Sequence, residues 1–340
     1  MSEIYIIRHA EAEGNLYRRI HGHYDSLVTE RGLRQIADLG RRFEGKRFDA
    51  IYSSDLFRTQ KTASVLAELH NLKIQTTPDL REINMGAWED LPFGEIERES
   101  PQLLHAFNND PWNWATDGSE AFDDVAERVA RAVVAIADDA ENRIGSNAVI
   151  AIFTHGVALR SFVSGLHGIT TTEGLKTIPH SDNTSVTRLT FGGGAVRLDY
   201  YGDNSHLAAE NSTLAKQKWW RARASEGGNS DFNIRFVPDG DERVDALLGE
   251  RRVGFLTLDM SEGAECGVGT LAHFELDETH RGVGMGVQLI GQAVSTFRRL
   301  GRGTLETLPT DEPSRGFLAY HGFKPQTDSV KLALNIKVSL

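Results

Sequence analysis

The feature that most constrains the fold is an alternation. Up to about residue 200, short apolar, β-branched runs take turns with longer amphipathic stretches. The runs at 4–7, 50–52, 73–76 and 148–153 read as strands, with further ones near 185–190 and 195–200. The stretches at 29–43, 57–70, 101–108 and 122–142 read as helices. In the first helix Leu33, Ile36, Ala37 and Phe43 fall roughly on one face, and Thr29 is the expected N-cap. This alternation predicts a mostly parallel sheet with helices on both faces. In such a sheet, ligands bind just past the carboxyl ends of the strands. The first strand, Ile4-Tyr5-Ile6-Ile7, runs directly into Arg8 and His9. By itself that pair is equally a buried structural histidine beside a surface arginine.

Residues 201–231 change character. Turn-forming runs at 203–205 and 225–230 flank a helix-like stretch, 213–224, whose Trp219 and Trp220 are expected to pack at an interdomain seam. A boundary near Gly227-Gly228 follows, and 340 residues suit two domains. Beyond it, 233–237, 243–248, 253–258 and 269–276 read as strands. The glycine-rich Arg281-Gly282-Val283-Gly284-Met285-Gly286 then opens a helix over 287–300. A strand (304–308), a short helix (314–321) and a last strand (331–336) close the chain.

Composition narrows the partners. The net charge of -11 argues against non-specific binding to nucleic acid or anionic membranes, though a few arginines still make a local phosphate pocket. Cys266 is the one cysteine, so no intrachain disulfide forms and a reducing compartment fits. No apolar run reaches the length of a membrane span, and residues 1–15 lack a basic segment followed by an apolar one. A cytoplasmic protein without membrane or nucleic-acid partners is expected.

If the strands are parallel, their carboxyl ends bring Arg8 and His9, Arg58, Glu82 and His155 to one edge. Arginine forks bind phosphate bidentately. One imidazole attacks phosphorus to give a phosphohistidine, and a second donates to a phosphoryl oxygen. A glutamic acid protonates the leaving alkoxide and then activates water. The chemistry needs no metal when arginines supply the positive charge.

The same residues resemble a known family. Arg8-His9-Ala10-Glu11 with Asn15 is similar to the signature of the histidine phosphatase (phosphoglycerate mutase-like) superfamily. The blocks at 21–32, 53–63, 80–89 and 154–156 resemble its further motifs in order, with 183–185 and 205–207 resembling its C-terminal strands. The resemblance covers about residues 1–210. It implies a nucleophile at His9, phosphoryl binding by Arg8, Arg58 and His155, and a proton donor at Glu82. Asn15, His21, Gly22 and Gly156 add to the substrate pocket. Ala10, Ala12 and His21 depart from the commonest family residues. The stretch at 91–146 is shorter than the phosphoglycerate-holding insertion of the mutases. Trp88, Trp112 and Trp114 read as core packing before pocket lining, and His21-x-His23 lacks the further ligands of a metal pair.

The second half resembles the GNAT N-acetyltransferases over about 232–325. Arg281, Gly284 and Gly286 match the family's pyrophosphate-binding loop. Residues 275–278 resemble the strand that meets the pantetheine arm, and 317–323 the closing block. The resemblance implies acetyl-CoA held by Leu276, Arg281, Gly282, Val283, Gly284, Met285 and Gly286, with an amine as acceptor. Two departures oppose transfer: Leu318 stands where a tyrosine often protonates the thiol, and residues 238–242 leave no room for the two helices that usually cover the acceptor. Glu275 is a guess at the base.

The expectation is therefore a three-layer α/β/α phosphoglycerate mutase-like domain (1–211), a linker helix and loop (212–231), and a GNAT-like mixed α+β domain (232–340). The first acts as a cofactor-free phosphomonoesterase on a small phosphorylated metabolite. A mutase activity, and an acetyl-CoA-sensing rather than transferring second domain, stay open as alternatives.

Overall fold

A computed structural model describes residues 1–216, 233–261, 264–327 and 329–339. The N-terminal alternation builds a sheet of six strands: β1 (Ser2–Arg8), β2 (Ala50–Ser53), β3 (Ile74–Thr76), β4 (Val149–Thr154), β5 (Val186–Gly192) and β6 (Ala195–Asp203). Their order is β3-β2-β4-β1-β5-β6. The first four in that order run parallel, and β5 and β6 are antiparallel to their neighbours. In β1, Tyr5 and Ile7 pack with Leu39, Phe43, Leu66 and Phe153 on one face. Ile4 and Ile6 pack with Val129, Val133 and Leu159 on the other. Burial on both faces is why this run is continuously apolar instead of alternating.

The helices of this domain are α1 (Glu13–Tyr17), α2 (Glu30–Arg42), α3 (Phe57–His70), α4 (Phe93–Glu99), α5 (Pro101–Asn109), α6 (Phe122–Arg143), α7 (Gly156–Leu166), α8 (Thr172–Leu175) and α9 (Thr213–Lys216). α2 and α3 cover one face of the sheet, α6 and α7 the other. Thr29 caps α2 as expected, its hydroxyl accepting from the Gly32 amide. The buried face of α2 differs from the expected one. Gly32, Gln35, Ile36 and Leu39 are buried there, whereas Leu33 is 41% exposed and Ala37 is exposed. The helical turn carries positions 33 and 37 to the flank of a stripe centred on 32, 36, 39 and 43.

The second sheet has seven strands: β7 (Arg235–Asp239), β8 (Arg243–Leu248), β9 (Arg251–Asp259), β10 (Val268–Leu276), β11 (Thr304–Thr307), β12 (Lys324–Pro325) and β13 (Leu332–Asn335), in the order β12-β13-β11-β10-β9-β8-β7. Only residues 240–242 join β7 to β8. β10 and β11 pair in parallel, and every other pair is antiparallel. The crossover between β10 and β11 contains α10 (Gly286–Arg299), and α11 (Glu312–Tyr320) follows β11. α10 buries Leu289, Ile290, Ala293, Val294 and Phe297 against Leu256, Leu271 and Leu305, and Tyr17 from α1 joins this core.

Of the expected linker helix, only Thr213–Lys216 is described; Trp219, Trp220 and the Gly227-Gly228 boundary lie outside the described residues. Among the described residues, no helix is long and apolar enough to cross a membrane.

Candidate active site

Strand register assembles the site. Arg8 lies opposite Thr154 in the parallel β1–β4 pair, and Ser53 opposite Phe153 in the β2–β4 pair. The next residues, His9, His155 and Ser54, therefore emerge side by side at one edge. The His9 and His155 rings lie 5.2 Å apart between centroids. Arg58 enters from the first turn of α3, and Glu82 from the loop after β3. The five residues expected from sequence thus come together. His9 is 6% exposed, Arg58 1%, Glu82 8% and His155 0%, and Arg8 is half-buried.

The His9 ring is oriented by its own backbone. Nδ1 lies 2.7 Å from the Ala10 carbonyl, which only accepts, so Nδ1 carries the proton and Nε2 keeps its lone pair. Burial first, then the Arg58 and Arg8 charges, hold this imidazole well below its ordinary value. His155 is lowered in the same way by burial, then Arg58, His9 and Arg8. Its Nε2 lies 3.0 Å from the Ser54 hydroxyl. Both rings are therefore neutral near pH 7, and one keeps a nucleophilic nitrogen.

The guanidinium groups are fixed by carbonyls. Arg58 donates to the carbonyls of Gly22 (2.7 Å) and Tyr24 (3.1 Å), with Asp25 3.8 Å away. Arg8 donates to the carbonyl of Ser181 and packs against Gly156, where an added Cβ would lie 3.1 Å from the guanidinium. Among the described residues the buried Arg8 Nε has no hydrogen-bond partner. Backbone carbonyls orient these cations, and the carboxylates of Asp25 and Glu82 lie near enough to offset part of their charge.

Glu82 sits at the N-terminus of α7. Its carboxylate accepts from the backbone amides of Ile83 (3.0 Å), Val157 (3.0 Å) and Ala158 (2.7 Å). The preceding loop is pinned by Arg128, which donates to the Asp79 and Arg81 carbonyls. His23 Nε2 donates to the Glu82 carbonyl at 3.0 Å. Asn15 accepts from the Ala12 amide, and Asn183 donates to the His9 carbonyl.

Several contributors were missed in the sequence. Glu89 is the main one: its carboxylate accepts from the amides of Gly22 (3.2 Å), His23 (2.7 Å), Tyr24 (2.7 Å) and Met85 (3.0 Å). It thereby holds the turn whose carbonyls grip Arg58. Gly22 must be glycine, because a Cβ there would lie 2.4 Å from both Glu89 Oε1 and the Ile83 carbonyl. Asp25 caps α3 by accepting from the Phe57 amide, and so sets the turn that carries Arg58. Glu89 and Asp25 both lie in the motif-like blocks, which was the available signal. Their partners are main-chain amides that no residue pattern records.

The other residues singled out in the sequence take separate positions. The His21 ring lies 3.6 Å from Asp90 and 4.9 Å from the Tyr24 ring, on the wall facing the second domain. His21 and His23 thus turn to separate partners. No group of three or more metal-ligating side chains converges among the described residues. Trp88 and Trp114 are core residues, and Trp112 donates to Asp123. In the second domain Glu275 projects from β10 as an exposed side chain 3.8 Å from His273, which gives no support to its choice as a base.

Comparison with known proteins agrees with this geometry. The profile of the histidine phosphatase superfamily (branch 1) matches residues 4–204. A probable phosphoglycerate mutase GpmB from Erwinia tasmaniensis is 31% identical over 169 residues, covering 50% of this chain and 76% of that protein. Among solved structures, Bacillus stearothermophilus YhfR superposes with a TM-score of 0.56 at 32% identity, over 61% of this chain and 99% of that one. A phosphoserine phosphatase from Entamoeba histolytica superposes with a TM-score of 0.52 at 25% identity, over 61% of this chain and all of that one (100%). The matched region contains the first sheet except for Ser2 and Glu3, and all five converging residues, and the chain belongs to the histidine phosphatase superfamily, whose members act on phosphate esters.

Proposed function

We propose that the first domain is a phosphomonoesterase that hydrolyses a small phosphorylated metabolite through a phosphohistidine on His9. The observation that carries this is the neutral His9, its Nε2 lone pair left free by the Nδ1–Ala10 bond, beside two arginines, Arg8 and Arg58, that backbone carbonyls orient. Nε2 attacks phosphorus, the P–O ester bond breaks, and Glu82 gives its proton to the leaving alkoxide. Water then attacks the phosphohistidine, Glu82 takes the water proton, the P–N bond breaks, and inorganic phosphate leaves. Arg8, Arg58 and His155 stabilise the charge on the transferring oxygens. Asn15, Gly22 and Gly156 shape the pocket through the backbone contacts above.

The test is hydrolysis of p-nitrophenyl phosphate with His9→Ala as control; unchanged activity in that variant overturns the mechanism. The similarity to a probable phosphoglycerate mutase favours a second reading, in which phosphate is moved between positions of one substrate. Release of inorganic phosphate separates the two.

For the second domain we propose acetyl-CoA binding at residues 281–286. Gly282 and Gly284 adopt left-handed φ values of 76° and 88°, with open space where side chains would stand. The loop opens α10, whose first amides have no side-chain cap. Arg281 is held by the Leu276 carbonyl at the end of β10. Glycine loops and uncapped helix N-termini suit a pyrophosphate. Val283, Met285 and Gly286 complete the loop. Acetyl-CoA, where bound, supplies a thioester. Sensing is favoured over transfer, because Leu318 is fully buried in the core and Tyr320, 60% exposed, points out of it. Titration with acetyl-CoA, with Arg281→Ala as control, tests binding; release of free thiol that depends on an added amine overturns the sensing reading.

A further inference from the structure

The two domains meet at the loop that holds the phosphate site. α10 presents Gln292, Ser295 and Arg298, spaced three apart on one face, to residues 13–24 and their support. The Arg298 fork bonds both carboxylate oxygens of Glu13 at 2.9 Å. Glu13 opens α1, four residues after His9, and is almost completely buried. The same carboxylate accepts from the Leu27 amide, while the Glu13 amide donates to the Leu27 carbonyl. Glu13 therefore ties the two ends of the segment whose Gly22 and Tyr24 carbonyls orient Arg58. One turn earlier, Ser295 donates to Asp90 and accepts from Arg19, and Gln292 accepts from Arg19 at 2.9 Å. Asp90 is the residue against which the His21 ring rests. Close approach is possible because position 291 is glycine: a Cβ there would lie 2.4 Å from Tyr17 Cβ.

We propose that Arg298 is a positioning residue for the phosphatase centre: through Glu13 the second domain holds the 13–27 segment in the shape that aims Arg58. The inference rests on the phosphatase reading above. The physical reason is one of charge. Among the described residues, Arg298 is the ion-pair partner of Glu13. A buried carboxylate that loses its partner either draws in water or moves, and its movement releases the Leu27 tie. Small displacements of a phosphate-orienting group weaken transition-state binding more than substrate binding.

The experiment uses the full chain. Wild type, Arg298→Met, Arg298→Lys and the double variant Glu13→Gln/Arg298→Met are compared by thermal melting, by kcat and KM on p-nitrophenyl phosphate, and by the inhibition constant of vanadate. The inhibition constant is a property of the folded fraction, so instability alone does not move it. Arg298→Met is expected to lower kcat about tenfold, with a smaller change in KM, and to weaken vanadate by about tenfold. Arg298→Lys should recover most of both. The double variant should regain stability, because no buried charge is stranded, yet keep the weak vanadate binding; it also carries the test if Arg298→Met does not fold. Wild-type vanadate binding and kcat in the double variant overturn the inference. Absence of His9-dependent hydrolysis in the wild type overturns the phosphatase reading itself, and the inference with it.

Discussion

Replacing Glu89 by glutamine isolates the device that shapes the 22–24 turn. The two carboxylate oxygens divide four backbone donors evenly: Oε1 takes His23 and Met85, and Oε2 takes Gly22 and Tyr24. A glutamine presents one oxygen and one NH2 group, so in either flip two amides keep an acceptor and two face a donor. Hydrogen bonds to a charged group are worth about 1.5–3 kcal/mol each. Losing two costs about 3 kcal/mol, reduced to about 2 because the half-buried site admits water to some of the stranded amides. For a domain of this size that lowers Tm by about 4–8 °C. The same turn supplies the carbonyls that aim Arg58. If half of the strain reaches Arg58, kcat/KM falls about fivefold. The assays are a thermal melt and p-nitrophenyl phosphate kinetics at 25 °C. A Tm within 1 °C of wild type together with unchanged kcat/KM would refute the assignment of Glu89 as the clamp of the 22–24 turn.

Four further outcomes are expected. Gly22→Ala drives a Cβ into the Ile83 carbonyl and should cost about 1–3 kcal/mol of stability with at least a tenfold loss of kcat/KM, measured by urea titration and kinetics. Gly291→Ala meets Tyr17 across the domain seam and should lower the melting temperature by several degrees, read by calorimetry. On acidification, burial is the leading cause that holds His9, His155, His206 and His321 below their ordinary value, the last two to about 4. The unfolded chain takes up protons at these sites near pH 6.5. It therefore binds more protons than the native state below that pH, and stability present above about 6.5 is lost as pH falls toward 4. Urea midpoints across pH 4–8 check the sign. The acid limb of kcat/KM should fall below the ordinary imidazole range, because His9 stays neutral there.

The expectation of a shared edge for Arg8, His9, Arg58, Glu82 and His155 needed strand ends, which are local patterns, and a parallel order, which follows from the alternation of strands and helices. The buried face of α2 was read less well, because Leu33 and Ala37 are apolar residues at the flank of the stripe, and periodicity alone does not say how wide the covered stripe is. The trio of Trp88, Trp112 and Trp114 shows a further ambiguity: aromatic type is the same for core and pocket, and only packing against Phe107 and Phe122 decides.

The order of residues supplies the chemistry available and points to the edge at which it gathers. Apolar runs end in polar side chains, and parallel strands align their ends. How that chemistry is held emerges on folding. The support comes from backbone amides on Glu89 and Glu82, from carbonyls on Arg58 and Arg8, and from Arg298 reaching Glu13 across 285 positions of the chain. Main-chain groups are the same for every residue type, and an ion pair between distant segments leaves no periodic trace. Both become visible only when the chain is folded.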